Sequence, residues 1–342
     1  MSVIGQRLLS PVLVVGAYGY GNIGDEAILS GLLVRLEGHA VTVVSRSPGD
    51  TAALHGVRSI GIGQAVSALR HHRSVVIGGG GLFGRDMGRI GRLLPAFGLL
   101  AAALGKRVCV VGVDLDGRLS GSARVLVPLL MRAAASVQVR DRASATVLAG
   151  WGVNAGVEPD LSAWMKPSSA EAARHALEEA GLDPQRPIIG FALTGVNPAL
   201  ADRVVEALVD AMDALPEAQF CFVPMSRHPW VPTHDDRLVA QRLRQLRPGV
   251  AVLDDPLPPD IVLATVGELS GLVAMRYHAM LFAERAGVPL IPISYADKTE
   301  RWLTEHGLRS IRADARDLTR SLREALSTAA SRHAPRLLRT AS

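Results

Sequence analysis

Short uninterrupted apolar runs alternate along this chain with longer stretches in which apolar and polar residues recur at helical spacing. In the first half the runs fall at 12–15, 40–44, 75–77, 108–111 and 137–139, with helical patterns between them, including 26–36 and 89–103. In the second half the runs fall at 188–193, 220–223, 251–253, 271–274 and 290–293, and helices are predicted at 198–215, 234–246 and 279–286. An apolar run without alternation suits a strand buried on both faces, so the pattern predicts α/β architecture with parallel sheets and helical crossovers. Pro and Ser gather at 160–169, which reads as a linker. It separates an N-terminal domain of residues 1–165 from a C-terminal domain of residues 180–315. A last helix at 316–332 is expected to pack back on the first domain, and the tail from Ser331 to fray.

The 342 residues are enough for two domains of ordinary size, and 48% hydrophobic against 20% charged content describes a globular chain. The net charge is +5, but the arginines are scattered and aromatics make up only 4%. That excludes a nucleic-acid binder and favours phosphorylated small molecules as partners. Lysine occurs only at Lys106, Lys166 and Lys298. Cys109 and Cys221 sit inside apolar runs and read as buried thiols rather than a disulfide or metal site. The start of the chain has no basic region followed by an apolar signal core. The longest apolar stretch, 93–104, is too short to span a bilayer and stops at Gly105-Lys106-Arg107. These features lead us to expect a cytoplasmic protein without a transmembrane segment, with peripheral membrane contact left open.

Candidate chemistry collects where strands end, the place where ligands bind in open α/β sheets. After the first strand comes Gly19-Tyr-Gly-Asn-Ile-Gly24-Asp-Glu, which matches a dinucleotide fingerprint only formally. Its first glycine comes three residues after the strand-ending Gly16, and Asp25 and Glu26 fall where a pyrophosphate wants bare N–H groups. Gly21, Asn22, Gly24 and Asp25 are candidates here; the plainer reading is a capped helix start. Gly78-Gly79-Gly80-Gly81 follows the third strand as a predicted loop whose backbone N–H groups would receive an anion or a substrate, with Arg85 and Asp86 beyond it. Arg140, followed by Asp141, ends the fifth strand and would clamp a phosphate or carboxylate, unless it only pairs with an acid. Arg276-Tyr277-His278 follows the strand at 271–274. There Arg276 adds positive potential, and His278 is placed as an acid or base unless it only packs. Tyr295 and Lys298 follow the strand at 290–293. Asp235-Asp236 read as helix caps. His71-His72 and His228…His234 lack ligand spacing, so no metal site is expected. The two strand-end clusters suggest an anion-handling cleft between the domains.

Taken in order, these segments resemble the polysaccharide pyruvyl transferase family: Gly19-Tyr-Gly-Asn-Ile-Gly-Asp-Glu-Ala-Ile-Leu29, Gly78–Gly81, Val139-Arg-Asp-Arg-Ala-Ser144, Pro159-Asp160, and Arg276-Tyr-His with Gly287-Val-Pro and Ile293-Ser-Tyr-Ala-Asp-Lys298. The resemblance covers most of the chain. It implies two Rossmann-like domains in a GT-B-like arrangement with the active site in the interdomain cleft. It also implies phosphoenolpyruvate as donor, with no further cofactor, and a glycan hydroxyl pair as acceptor, lipid-linked or not, in cell-wall polysaccharide biosynthesis. The product would be a cyclic pyruvate ketal. By motif position His278, Asp25, Arg140 and Lys298 would be catalytic: His278 as the acid for the enol carbon, Asp25 as the base for the sugar hydroxyl, Arg140 and Lys298 as anion holders. Three departures stand out. Leu82-Phe-Gly-Arg-Asp86 follows the glycine run, Tyr277 stands where the family usually has Leu, and Asp114 and Asp116 occupy a turn that is usually neutral. The two acids would repel an anionic donor, so that edge is expected to face the acceptor. A nucleotide-sugar glycosyltransferase, a non-catalytic ligand binder on the same fold and an NADP-dependent enzyme stay open as alternatives.

Overall fold

A computed structural model describes residues 8–83, 90–115, 118–295 and 297–332. The chain divides into two compact units at Lys166/Pro167. The first holds β1 (Val12–Val15), β2 (Val41–Ser45), β3 (Arg58–Gly61), β4 (Ser74–Phe83), β5 (Arg107–Leu115), β6 (Ser136–Val139) and β7 (Gly156–Val157). They form one sheet in the order β3-β2-β1-β4-β5-β6-β7, every pairing parallel. The second holds β8 (Ile188–Ala192), β9 (Gln219–Phe222), β10 (Ala251–Val252), β11 (Gly271–Ala274), β12 (Leu290–Ser294) and β13 (Ile311–Arg312). Its order is β10-β9-β8-β11-β12-β13, again all parallel. Each sheet therefore reverses its strand order once, between β1 and β4 and between β8 and β11, and such switch points open a crevice at the strand C-termini.

The uninterrupted apolar runs have a direct cause. Alternate residues of one strand feed opposite faces: Val12 and Val14 pack with Ile28, Leu29 and Leu32, while Leu13 and Val15 pack with the cluster of Val75, Ile77 and Val110. In the second unit Ile189, Phe191, Phe222, Val273 and Ile291 meet Val204 and Leu208 from helix Pro198–Met212, and the rings of Phe191 and Phe220 stack at 5.8 Å. Cys109 and Cys221 are fully buried thiols outside any disulfide, and burial pushes the Cys221 thiol up to about 12.

Three expectations change. The segment read as a linker belongs to the first unit up to Lys166. Leu161 is buried in its core, and Gly31 sits so close that a Cβ there would meet the Leu161 carbonyl oxygen at 1.8 Å. The last helix, Leu318–Arg332, does not complete the first domain: Leu318, Leu322 and Leu326 lie in the second unit's core beside Leu208. The second unit also begins earlier than expected, with helix Ala170–Glu179 packed on helix Pro259–Gly267.

The third strand and its glycine run also differ from expectation. Gly78–Gly81 is not a loop, because β4 continues through it to Phe83. Gly79 and Gly80 both adopt φ of +80°, and the pairing with β5 shifts register after Gly80. A Cβ on Gly79 would stand 1.9 Å from Ile28 Cγ2. Gly79→Ala is thus expected to cost roughly 2–3 kcal/mol, from left-handed strain plus overpacking, read as a fall in urea midpoint. An unchanged midpoint would mean that helix Ile23–Arg35 does not press on this strand.

Candidate functional site

At the first switch point β1 hands over to a loop held by the protein's own acceptors. Tyr18 donates its hydroxyl to the Gly78 carbonyl at 2.9 Å, tying the loop to the glycine run of β4. Burial, with Asp25 and Glu26 nearby, drives the Tyr18 phenol far above its ordinary pKa, so it stays a donor. Asn22 caps helix Ile23–Arg35, its Oδ1 accepting from the N–H groups of Gly24 at 2.8 Å and Asp25 at 3.3 Å. Glu26 accepts the Gly19 N–H at 2.8 Å through Oε1 and meets His55 Nε2 at 2.8 Å through Oε2. Gly19 has φ of +78°, and a Cβ there would lie 2.2 Å from Ser45 Oγ.

With its first N–H groups engaged and two acids in its first turn, this helix start is unlike a pyrophosphate cradle. It is an acidic corner. Asp25 is half-buried, with Oδ1 3.3 Å from where a Cβ of Gly80 would stand. Asp25, Asn22, Gly24, Gly79 and Gly80 are therefore neighbours, joined by exposed Gly21 and half-buried Gly81. Asp86, Arg85 and Asp116 lie outside the described residues.

Arg140 ends β6 as expected, but its guanidinium is not turned to an open crevice. Nη2 donates to Asp114 Oδ2 at 2.5 Å and Nη1 to Asp160 Oδ2 at 2.9 Å, and the side chain is 4% exposed. Asp160 also accepts the Ser162 N–H at 2.9 Å. Arg140, expected as an anion clamp, and Asp114, expected to face an acceptor, are thus paired with each other in this structure. Two carboxylates flank the guanidinium, and the cluster fastens β5, β6 and the 158–162 segment together.

The second switch point has the opposite character. Arg276 ends the backbone step after β11 and stands at the N-cap of helix Tyr277–Ala286, which has no side-chain cap and no acid in its first turn. Asp236, fully buried, holds Arg276 from below: Nε reaches its two oxygens at 3.2 and 3.0 Å, and Nη2 reaches Oδ1 at 2.5 Å. Asp236 Oδ2 also accepts the N–H groups of Met225 at 3.2 Å and Ser226 at 3.0 Å. One carboxylate thus ties the loops after β9 and β11 to helix Asp236–Leu246. Desolvation by burial raises the Asp236 pKa, and Arg276 opposes it. Of the acid pair read as two caps, only Asp235 is one, accepting the Arg237 N–H at 3.1 Å.

His278 lies half-buried in the first turn of helix Tyr277–Ala286, with the Tyr277 ring edge-on at 5.3 Å. Tyr277 in turn meets Trp302 at 5.5 Å. Tyr295, just past β12, is raised by burial and feels both Arg276 and Asp236, so it shares their surroundings. Lys298 lies in helix Asp297–Glu305, but its side chain is outside the described residues. Positive charge also lowers His234, whose pKa falls through burial and then through Arg276. The first unit therefore gathers Asp25 with the glycines, and the second gathers Arg276, His278 and Tyr295. Among the described residues no group of three or more His, Cys, Asp or Glu is placed to hold a metal, and no helix is long and apolar enough to cross a membrane.

Sequence reading missed the buried acids, Glu26 and Asp236. Each is the second member of an acidic pair at a helix start, and its signal is the helix period, which turns the second acid inward when the first points out.

The profile described as polysaccharide pyruvyl transferase matches residues 22–297. No curated protein sequence matches the chain. Among solved structures the chain is similar to Anabaena Alr3699/HepE in complex with UDP-glucose, at 12% identity and TM-score 0.61, covering 94% of this chain and 90% of that one. It is similar to UDP-GlcNAc 2-epimerase from Methanocaldococcus jannaschii, at 11% identity and TM-score 0.61, over 93% and 92%. It is also similar to E. coli ADP-heptose lps heptosyltransferase II, at 13% identity and TM-score 0.55, over 95% and 99%. At such identities the likeness concerns the fold, which is GT-B-like.

Proposed function

The chain belongs to the polysaccharide pyruvyl transferase family, and from that membership we propose that it moves a pyruvyl group from phosphoenolpyruvate to a pair of hydroxyls on a glycan or glycan precursor. The observation that carries the donor assignment is the contrast between the two switch points. The start of helix Tyr277–Ala286, with Arg276 and His278 and no first-turn acid, has the polarity an anionic donor needs. The acidic corner around Asp25 has the polarity a hydroxyl acceptor needs.

In this reading Arg276, held by Asp236, and Lys298 carry the donor's phosphate and carboxylate. His278 delivers a proton to the enol carbon, C3, which leaves C2 electrophilic. One sugar hydroxyl adds to C2 and gives up its proton, with Asp25 as the base. Phosphate then leaves, and the second hydroxyl closes the ketal as it loses its own proton. The C3 proton and the departing phosphate account for the two hydroxyl protons and the electron pairs, so the reaction balances without a cofactor. Arg140 acts from behind, fixing the ends of β5 and β6. Phosphoenolpyruvate is a cytosolic metabolite, so the reading places the enzyme in the cytoplasm.

A second reading has a specific observation behind it: the fold relatives act on or bind nucleotide sugars by their descriptions. Thermal shift separates the two, because a ligand of the native state raises the melting temperature. The proposal expects phosphoenolpyruvate to raise it and UDP-glucose, UDP-GlcNAc and ADP-heptose to leave it in place. The reverse pattern would favour nucleotide-sugar transfer.

A further inference from the structure

Two helices of the first unit carry a surface that the reaction above does not use. Helix Ile90–Ala103 packs against helix Ala123–Ala133. Gly98 lets them close, since a Cβ there would stand 2.6 Å from Leu130 Cδ1. Their inner sides, with Leu94, Ala101, Val127 and Leu130, belong to the core. Their outer sides are apolar too: Leu93 is 67% exposed, Leu100 41%, Leu104 56%, Val125 61% and Leu129 45%. One exposed leucine needs no reason. Here residues 93 and 100 on one helix, with 104 just past its end, and 125 and 129 on its neighbour repeat at helical spacing, which makes two outward apolar stripes.

The charge on these segments has one sign. Residues 90–107 and 123–133 contain Arg92, Lys106, Arg107, Arg124 and Arg132 and no Asp or Glu. The four arginines are exposed. A second copy of the chain on this face would set like charges together, which opposes self-association. A uniformly anionic surface with an apolar layer beneath it matches both features.

We propose that this face docks onto an anionic lipid bilayer, its leucines and valine entering the boundary below the headgroups and its arginines and lysine meeting lipid phosphates. Neither helix crosses the membrane, so the contact is lateral. It would hold the protein where lipid-borne substrates reside.

The test is flotation of the full chain with vesicles of phosphatidylcholine alone or mixed with phosphatidylglycerol. The chain should float with the mixed vesicles, less so as salt rises, and stay behind with phosphatidylcholine. Arg92→Glu with Arg124→Glu should weaken binding about 25-fold or more, at about fivefold for each basic residue lost. Leu93→Glu with Val125→Glu should abolish flotation while keeping the wild-type melting temperature, because both positions face solvent. Equal flotation with neutral vesicles, or variants that float like wild type, would overturn the proposal. So would light scattering showing a dimer that the leucine variant converts to monomer, since a second copy would then own this face.

Discussion

Asp236→Ala is expected to destabilise the second unit by about 3–5 kcal/mol, the usual result of removing one member of a buried ion pair and stranding the other. Asp236 is fully buried. It faces the Arg276 guanidinium and two backbone N–H groups, those of Met225 and Ser226. Each of these would lose an acceptor that is itself fully buried. The neighbouring substitution Asp235→Ala is the control. It removes a helix cap and an ion pair with Arg237, whose side chain is 43% exposed, and should cost only about 1 kcal/mol. Urea unfolding followed by circular dichroism reads both. Equal small losses would show that Asp236 does not bind the three elements together. Asp236→Asn keeps an acceptor but not the charge, so it should recover part of the stability and little of the affinity for an anionic donor.

His278→Ala is expected to lower turnover with phosphoenolpyruvate about 10²–10⁴-fold, the range associated with losing a positioned acid. The imidazole is half-buried at a helix start and packs edge-on to Tyr277, so its removal should leave the fold and the melting temperature nearly intact. Donor binding should change far less than turnover, because Arg276 and the helix N–H groups remain. The split between turnover and KM in phosphate-release kinetics decides the matter. A variant that binds weakly but turns over normally would make His278 an anion ligand, and wild-type kinetics would remove it from the reaction.

Much of the fold is legible in the sequence because a strand buried on two faces must be apolar at every position, as Val12–Val15 and Gly271–Ala274 are. The strands that escaped, β3, β7 and β13, are short or edge-placed and only partly buried, so the same pressure does not act on them. The glycine run was read as a loop because Gly78–Gly81 supplies no side chains to show that a strand continues. Its contact partner, Ile28, lies fifty residues earlier and is visible only after folding. Arg140 exposes the limit at the candidate site: a strand-end arginine suggests an anion, and nothing local reveals that Asp114 and Asp160 already flank it. The same blindness hid Glu26 and Asp236, whose partners lie 29 and 40 residues away at His55 and Arg276.

The most direct test of pyruvyl transfer is mass spectrometry of candidate cell-envelope sugars incubated with the protein and phosphoenolpyruvate in heavy water. The account predicts an acceptor heavier by pyruvate less water, one phosphate released per ketal formed, and a single solvent deuterium in the new methyl group, the mark of proton delivery to the enol carbon. An unmodified acceptor pool, or a sugar unit gained only when a nucleotide sugar is supplied, would contradict it.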